Sequence, residues 1–410
     1  MKTTTSAIVL FAWSNIVVWP SVVLADPMAY TTESGIELIP QVKAFYEGDD
    51  NVNKDEEDAQ SVNIWGIEPS LLVRIERNQY QASLTYKLKA GFSSDDKNDF
   101  DDHLLKFNNF FEFNHRNRLV VDYRFNAQHE IRGEDITEGN GDAVDTPIRF
   151  HSNDLTTNYI FGSQGAKGRF EFGLDYRDKT YQNYREGLTS APNAKTKYND
   201  FRAPEAHVEF YLRATPQTYW LVGTRQIITE YQHQNPALSN KDNTTGFYYT
   251  GAQWEVTGKT QGIARLGYQI KDFDSNERET FKGFSWDIGF EWSPQEQTLF
   301  TVKTTQAAIS PDQDGDYNVQ TRYRLDIKHD WSSYLSTQLG ALYQEDDYTG
   351  LLAGTTSRDS ERYSLFAGID YQIRRWILLQ ADWKYQDKTS ERSGYSFDQN
   401  VWTLSAQFSL

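Results

Sequence analysis

Apolar and polar residues alternate one by one along this chain, in tracts longer than soluble strands usually need. In FSWDIGFEW, Phe284, Trp286, Ile288, Phe290 and Trp292 fall on one side and Ser285, Asp287, Gly289 and Glu291 on the other. RFEFGLDYR sets Phe170, Phe172, Leu174 and Tyr176 against Arg169, Glu171, Asp175 and Arg177, and TRYRLDIKHD sets Tyr323, Leu325 and Ile327 against Arg322, Arg324, Asp326 and Lys328. A period of two means strands, because successive side chains leave a pleated backbone on opposite faces. Sandwich strands are about 5 to 6 residues long, whereas a strand tilted across a bilayer needs about 9 to 11. The length of these tracts favours the membrane.

Eighteen such tracts stand near 35–46, 62–76, 79–91, 101–115, 117–132, 151–162, 167–178, 201–213, 217–231, 246–257, 260–272, 279–293, 296–308, 317–330, 332–345, 359–374, 376–387 and 395–410. Their connections alternate between short ones (RNQ, HRNR, SQGAK, TPQ, TGKT, SPQE, DWS, IRRW) and long ones such as EGDDNVNKDEEDAQS, GEDITEGNGDAVDTPIR and EDDYTGLLAGTTSRDS. Short periplasmic turns and long extracellular loops are the grammar of outer-membrane barrels. The expected fold is therefore all-β: a single closed antiparallel transmembrane β-barrel of about 18 strands, with 16 as the alternative. Composition agrees, since only 38% of residues are hydrophobic while 15% are aromatic. Disordered chains are poor in aromatics, but a wall with one face in lipid and one in water combines both properties.

The last tract, VWTLSAQFSL, puts Trp402, Leu404, Ala406, Phe408 and Leu410 on one side and Thr403, Ser405, Gln407 and Ser409 on the other. It is expected to pair with the first strand, because an open sheet edge cannot be satisfied in lipid. Its aromatic-rich end is also what the barrel assembly machinery would recognise. At the other end, Lys2 followed by AIVLFAWSNIVVWPSVVLA reads as a secretory signal peptide over 1–25, leaving 26–410 as the barrel; an anchor helix would have to carry Ser14, Asn15 and Pro20 through lipid.

With 41 basic and 58 acidic residues, a net charge of −17, the chain is a poor partner for nucleic acid. It has no cysteine, so neither a disulfide nor a lipidated cysteine is available. Seven scattered histidines show no HxxxH or HxH spacing, which argues against a zinc site. PDQDGDYN has Gly315 in the wrong place for a calcium loop and reads as a tight external turn. No catalytic, cofactor or metal residue is assigned.

A barrel of this strand number encloses an aqueous lumen. The residues alternating with the apolar comb should line it, and the candidates are Arg124, Arg177, Arg265, Arg322, Arg324, Asp287, Asp370 and Asp382, with Lys87, Lys89, Asp122, Glu171, Asp175, Glu209, Arg213, Glu291, Asp326, Lys328 and Lys384 beside them. Such charges either meet a passing hydrophilic solute or pair across strands to stiffen the wall. Trp65, Trp220, Trp292, Trp331, Trp376 and Trp383 fall near strand ends or turns, where an interface girdle or the lumen would use them. The acidic stretch GDDNVNKDEED reads as a solvated loop, with cation bridging to lipopolysaccharide as the alternative.

The C-terminal run RYSLFAGIDYQIRRWILLQADWKYQDKTSERSGYSFDQNVWTLSAQFSL resembles the end of the putative β-barrel porin 2 family. The resemblance rests on Gly368 to Tyr371, the turn Arg374 and Arg375, the exit Tyr385 and Asp387, and the closing strand from Tyr395. It implies an outer-membrane step of exopolysaccharide or capsule export in Gram-negative bacteria and carries no catalytic motif. The expected partners are outer-membrane lipid and lipopolysaccharide, a secreted polysaccharide, the barrel assembly machinery and periplasmic polysaccharide-export components. Two rivals remain. A general diffusion porin would show a long inward-folded loop with clustered arginines opposite acids, for which the loop around 183–199 is the candidate; an outer-membrane enzyme would show turnover lost on one substitution at the mouth.

Overall fold

Alternation of side chains dictates strands, and the computed structural model contains little else; it describes residues 29–256, 259–351 and 355–409. The segment 1–25 and Leu410 lie outside the described residues. The strands are β1 (Tyr30–Thr31), β2 (Ile36–Asp49), β3 (Val62–Arg77), β4 (Tyr80–Ser93), β5 (Phe100–Asn114), β6 (Asn117–His129), β7 (Arg149–Phe161), β8 (Gly168–Tyr181), β9 (Phe201–Thr215), β10 (Thr218–Tyr231), β11 (Asn243–Val256), β12 (Thr260–Phe273), β13 (Phe281–Gln295), β14 (Thr298–Ile309), β15 (Tyr317–Ser332), β16 (Leu335–Thr349), β17 (Ser360–Arg374), β18 (Ile377–Ser390) and β19 (Phe397–Ser409).

Strands β2 to β19 make eighteen antiparallel staves, each hydrogen-bonded to the next in sequence. The ring closes where β19 meets β2, with Leu404 opposite Tyr46 and Ser409 opposite Gln41. β1 is a two-residue strip paired with the start of β2. The turns 78–79, 115–116, 216–217, 296–297, 333–334 and 375–376 are tight, whereas 50–61, 130–148 and 182–200 are long.

Facing is set by the pleat. On β19, Trp402 and Leu404 are 60% and 58% exposed on the outer surface, while Ser405 and Ser409 are buried on the inner one. Trp65, Trp220, Trp292, Trp331 and Trp376 all stand on the outer face, and Trp383 packs beside Trp402, so none of these six lines the lumen. Because Leu404 faces lipid and Thr403 faces water, Leu404→Arg should destabilise the barrel by roughly 2 to 4 kcal/mol, against under about 1 for Thr403→Arg. Urea unfolding of both variants in lipid vesicles checks this, and equal losses would contradict the assigned faces.

The outer comb was readable, but a second set of aromatics points inward near the external end. Phe45 lies flat across Gly66, where an added Cβ would come within 2.1 Å of its ring. Only glycine lets the ring lie down against the wall instead of standing up into the lumen. Phe45 and Phe100 form a small buried cluster with Val62 and Ile64, and Phe273 and Tyr317 form another. These rings are the bed on which the external connections rest.

Candidate functional site

The inner wall is polar, and most of its charges are already matched within a strand or between strands. Arg177 donates to Asp154 (2.6 Å), Arg324 donates to Asp326, and Arg322 donates to Gln344 (2.8 Å). Asp370 accepts from Gln338 and Gln380. Arg265 binds Glu209 through two nitrogens and sits 3.6 Å from Asp287. Arg124 and Asp382 make no hydrogen bond or ion pair with another described residue. Lys87 pairs with Glu68, Arg169 pairs with Glu171, and Lys89 rests over Phe45 and Phe100. Asp122 accepts from Asn108, Glu291 from Gln261 and the Gly165 carbonyl from Arg213. Lys328 pairs with Asp330.

Across the external end of this wall lies the connection 130–148, a tongue that leaves β6, reaches the opposite wall and returns to β7. Its own small core of Ile136, Ala143, Val144 and Ile148 closes against Tyr181 and Leu188. Arg132 holds its two limbs together by donating to the carbonyls of Gly141 and Val144. Gly139, at φ +73°, packs so closely on Tyr395 that a Cβ would meet the ring at 2.4 Å. The tip is anchored by charge. Glu134 pairs with Lys54 (3.6 Å) and with the wall residue Arg362 (3.4 Å). Glu138 pairs with Arg358 and with Lys388 of β18. Gln313 donates to the carbonyls of Asp135, Ile136 and Glu138.

Two sequence expectations change here. The inward-folded connection is 130–148, not 183–199; the latter packs against the tongue, with Ser190 N–H donating to the Ala143 carbonyl. The sparse charges of 183–199 were visible, but the partners that draw 130–148 inward lie on distant strands. The acidic stretch after β2 is only half solvated: Asn51, Asn53 and Lys54 are buried under the tongue, while the tip around Glu56 is exposed. PDQDGDYN is an external connection as expected, and two of its three carboxylates serve arginines, Asp314 binding Arg358 and Arg392 and Asp316 binding Arg278.

Burial tends to push the Glu134 carboxyl up, but Lys54 and Arg362 prevail and hold it down to about 2. Glu138 is likewise lowered, Lys388 and Arg358 outweighing desolvation. Asp135 goes the other way: surrounding protein raises it well above its usual range even though its side chain still reaches water, with Asp312 and Glu130 adding repulsion. A depressed carboxyl stabilises the docked tongue above its unfolded value and loses that contribution as pH falls through its folded value. Protonating Asp135 removes repulsion and so does not oppose docking. The tongue should therefore stay docked from pH 8 to pH 5 and release between pH 4.5 and about 2. Single-channel conductance against external pH reads this directly; opening between pH 8 and 5 would refute it.

The tongue forms one side of a cavity of about 380 Å³, which is otherwise lined by the connections 182–200, 232–242, 310–316 and 391–396 with Tyr231 from the end of β10. Deeper in the lumen, β8 and β9 bring together Asp175, Glu205 and His207. His207 lies 3.2 Å from Asp175, but Glu205 is held by Arg225 and Asp175 accepts from the Thr157 N–H. Glu-x-His on one strand was a legible half of this cluster; Asp175 joins it only through the pairing of two strands.

The family model for putative beta-barrel porin 2 matches residues 37–409. No curated protein sequence matches the chain. Among solved structures it is similar to the siderophore receptor PirA of Acinetobacter baumannii (8% identity, TM-score 0.48, covering 91% of this chain and 80% of that one). It is also similar to OccK2 of Pseudomonas aeruginosa, solved in complex with glucuronate (14%, 0.47, 93% and 98%), and to OccK5 of the same organism (13%, 0.45, 92% and 98%).

Proposed function

The chain belongs to the putative beta-barrel porin 2 family, and from that premise we propose that it is an outer-membrane passage for small hydrophilic solutes, with the tongue as its constriction. One observation carries the reading: Glu134 and Glu138, on an inward-folded segment, meet Arg362, Arg358 and Lys388 across a polar lumen. Opposed charges at a narrowing screen solutes by size and polarity while binding none tightly, which conduction requires. A polymer is a harder passenger, because it must first displace the tongue.

Export of exopolysaccharide or capsule is the second reading, and a separate observation favours it. The tongue is held by ion pairs and hydrogen bonds, and a chain without cysteine has no disulfide to lock it, so it can be lifted from the mouth. The two readings part in experiment. Reconstituted protein should give steady ion conductance in planar bilayers and admit disaccharides in liposome swelling, and cells lacking the gene should keep normal surface polymer. A silent bilayer together with polymer stranded in the periplasm of the deletion strain would replace the first reading with the second.

A further inference from the structure

The external cavity has a chemistry that the constriction does not use. Asp312 lies on it partly exposed, and although its backbone carbonyl accepts from Asn199, its carboxylate makes no hydrogen bond or ion pair with a described residue. Lys241, on another connection, donates to the Asn199 side chain (2.6 Å) and rests 4.7 Å from the centre of the Tyr231 ring. Tyr395 is fixed by donating its hydroxyl proton to Gln313 (2.9 Å). Tyr198 lines the same space with its hydroxyl unbonded to other described residues.

We propose that this cavity binds a short neutral saccharide, one or two sugar rings long, from the external side of the barrel. The proposal deepens the passage reading and rests on it, by naming a class of solute. Its volume of about 380 Å³ falls in the range of about 300 to 1,000 Å³ usual for small-molecule sites. Sugar rings offer two surfaces: hydroxyls that both donate and accept, and a C–H face that is apolar. Asp312 supplies an acceptor for paired hydroxyls and Lys241 a donor, while Tyr198, Tyr231 and Tyr395 supply aromatic faces. The opposite charges of Asp312 and Lys241 in one cavity leave no net preference for an ion of either sign. Burial draws Lys241 down to about 8, against the pull of Asp312, so any loss of its proton leaves the carboxylate in excess and disfavours anions. An acidic ligand would moreover meet the carboxylates of the tongue.

The test titrates the purified full-length protein in detergent with maltose, cellobiose and diacetylchitobiose as neutral probes and digalacturonate as the acidic one, by calorimetry. Saturable binding of a neutral probe, weakened about tenfold or more by Asp312→Asn and by Tyr198→Ala in variants that keep heat-modifiable migration, is the expected result. No neutral probe binding up to about 10 mM, or binding that both substitutions leave intact, would overturn the proposal. So would digalacturonate binding more tightly than every neutral probe. Bilayer conductance of the wild-type preparation is recorded alongside. Conductance without saccharide binding defeats this proposal and spares the passage, whereas binding without conductance defeats the passage.

Discussion

Replacing residues 133–146 with a short Gly-Ser link should raise single-channel conductance by roughly tenfold, because the lumen of an eighteen-strand barrel is wide enough for an aqueous channel once nothing crosses it. The tongue is joined to the far wall by Glu134 to Arg362 and Glu138 to Lys388, so Arg362→Glu with Lys388→Glu should move conductance the same way by repelling the acids. Those substitutions remove no backbone, and they separate loss of docking from loss of chain. Planar-bilayer recording of both variants decides the matter; unchanged conductance in both would mean that the tongue is not the constriction.

The second large effect is on stability. Glu209 is buried on the inner face of β9, accepting from Arg265 (2.6 and 3.2 Å), Tyr211 (2.5 Å) and Tyr249 (2.9 Å). This one carboxylate ties β9 to β11 and β12, and Arg265 carries the stitch on to Asp287 of β13. Glu209→Leu leaves a buried guanidinium with only its longer contact and strands two hydroxyls, which should cost about 3 kcal/mol. Adding Arg265→Met should recover part of that loss by removing the uncompensated guanidinium, while the two hydroxyls stay stranded and Asp287 loses its neighbour. Denaturant unfolding of the two single variants and the double one gives the coupling. If the double variant is as unstable as the sum of the singles, the pair is not acting as a unit.

The strands and their facing were legible because both are local. Alternation in FSWDIGFEW decided that Phe284 would face lipid and Asp287 the lumen, and closing strand VWTLSAQFSL could be paired with the first by the demand that lipid leave no edge open. The candidates on the inner comb were named from the same rule, but what each one touches was not: Arg265 finds Glu209 at a separation of 56 positions, and no periodicity encodes that. The inward aromatics were missed for a related reason. Phe45 and Phe100 sit on the face expected to be polar, and they are tolerated there because glycines on adjacent strands leave room for rings to lie flat.

What the sequence determined by itself was the wall: about eighteen staves, alternate side chains on opposite faces, and a cylinder that closes. Only the tertiary structure decided where the long connections go, that 130–148 and not 183–199 crosses the mouth, and that five connections meet around one cavity. The reason is physical. A pleat fixes side-chain direction two residues at a time, whereas the tongue is placed by pairs such as Glu134 and Arg362, 228 positions apart, whose proximity exists only after the ring has closed.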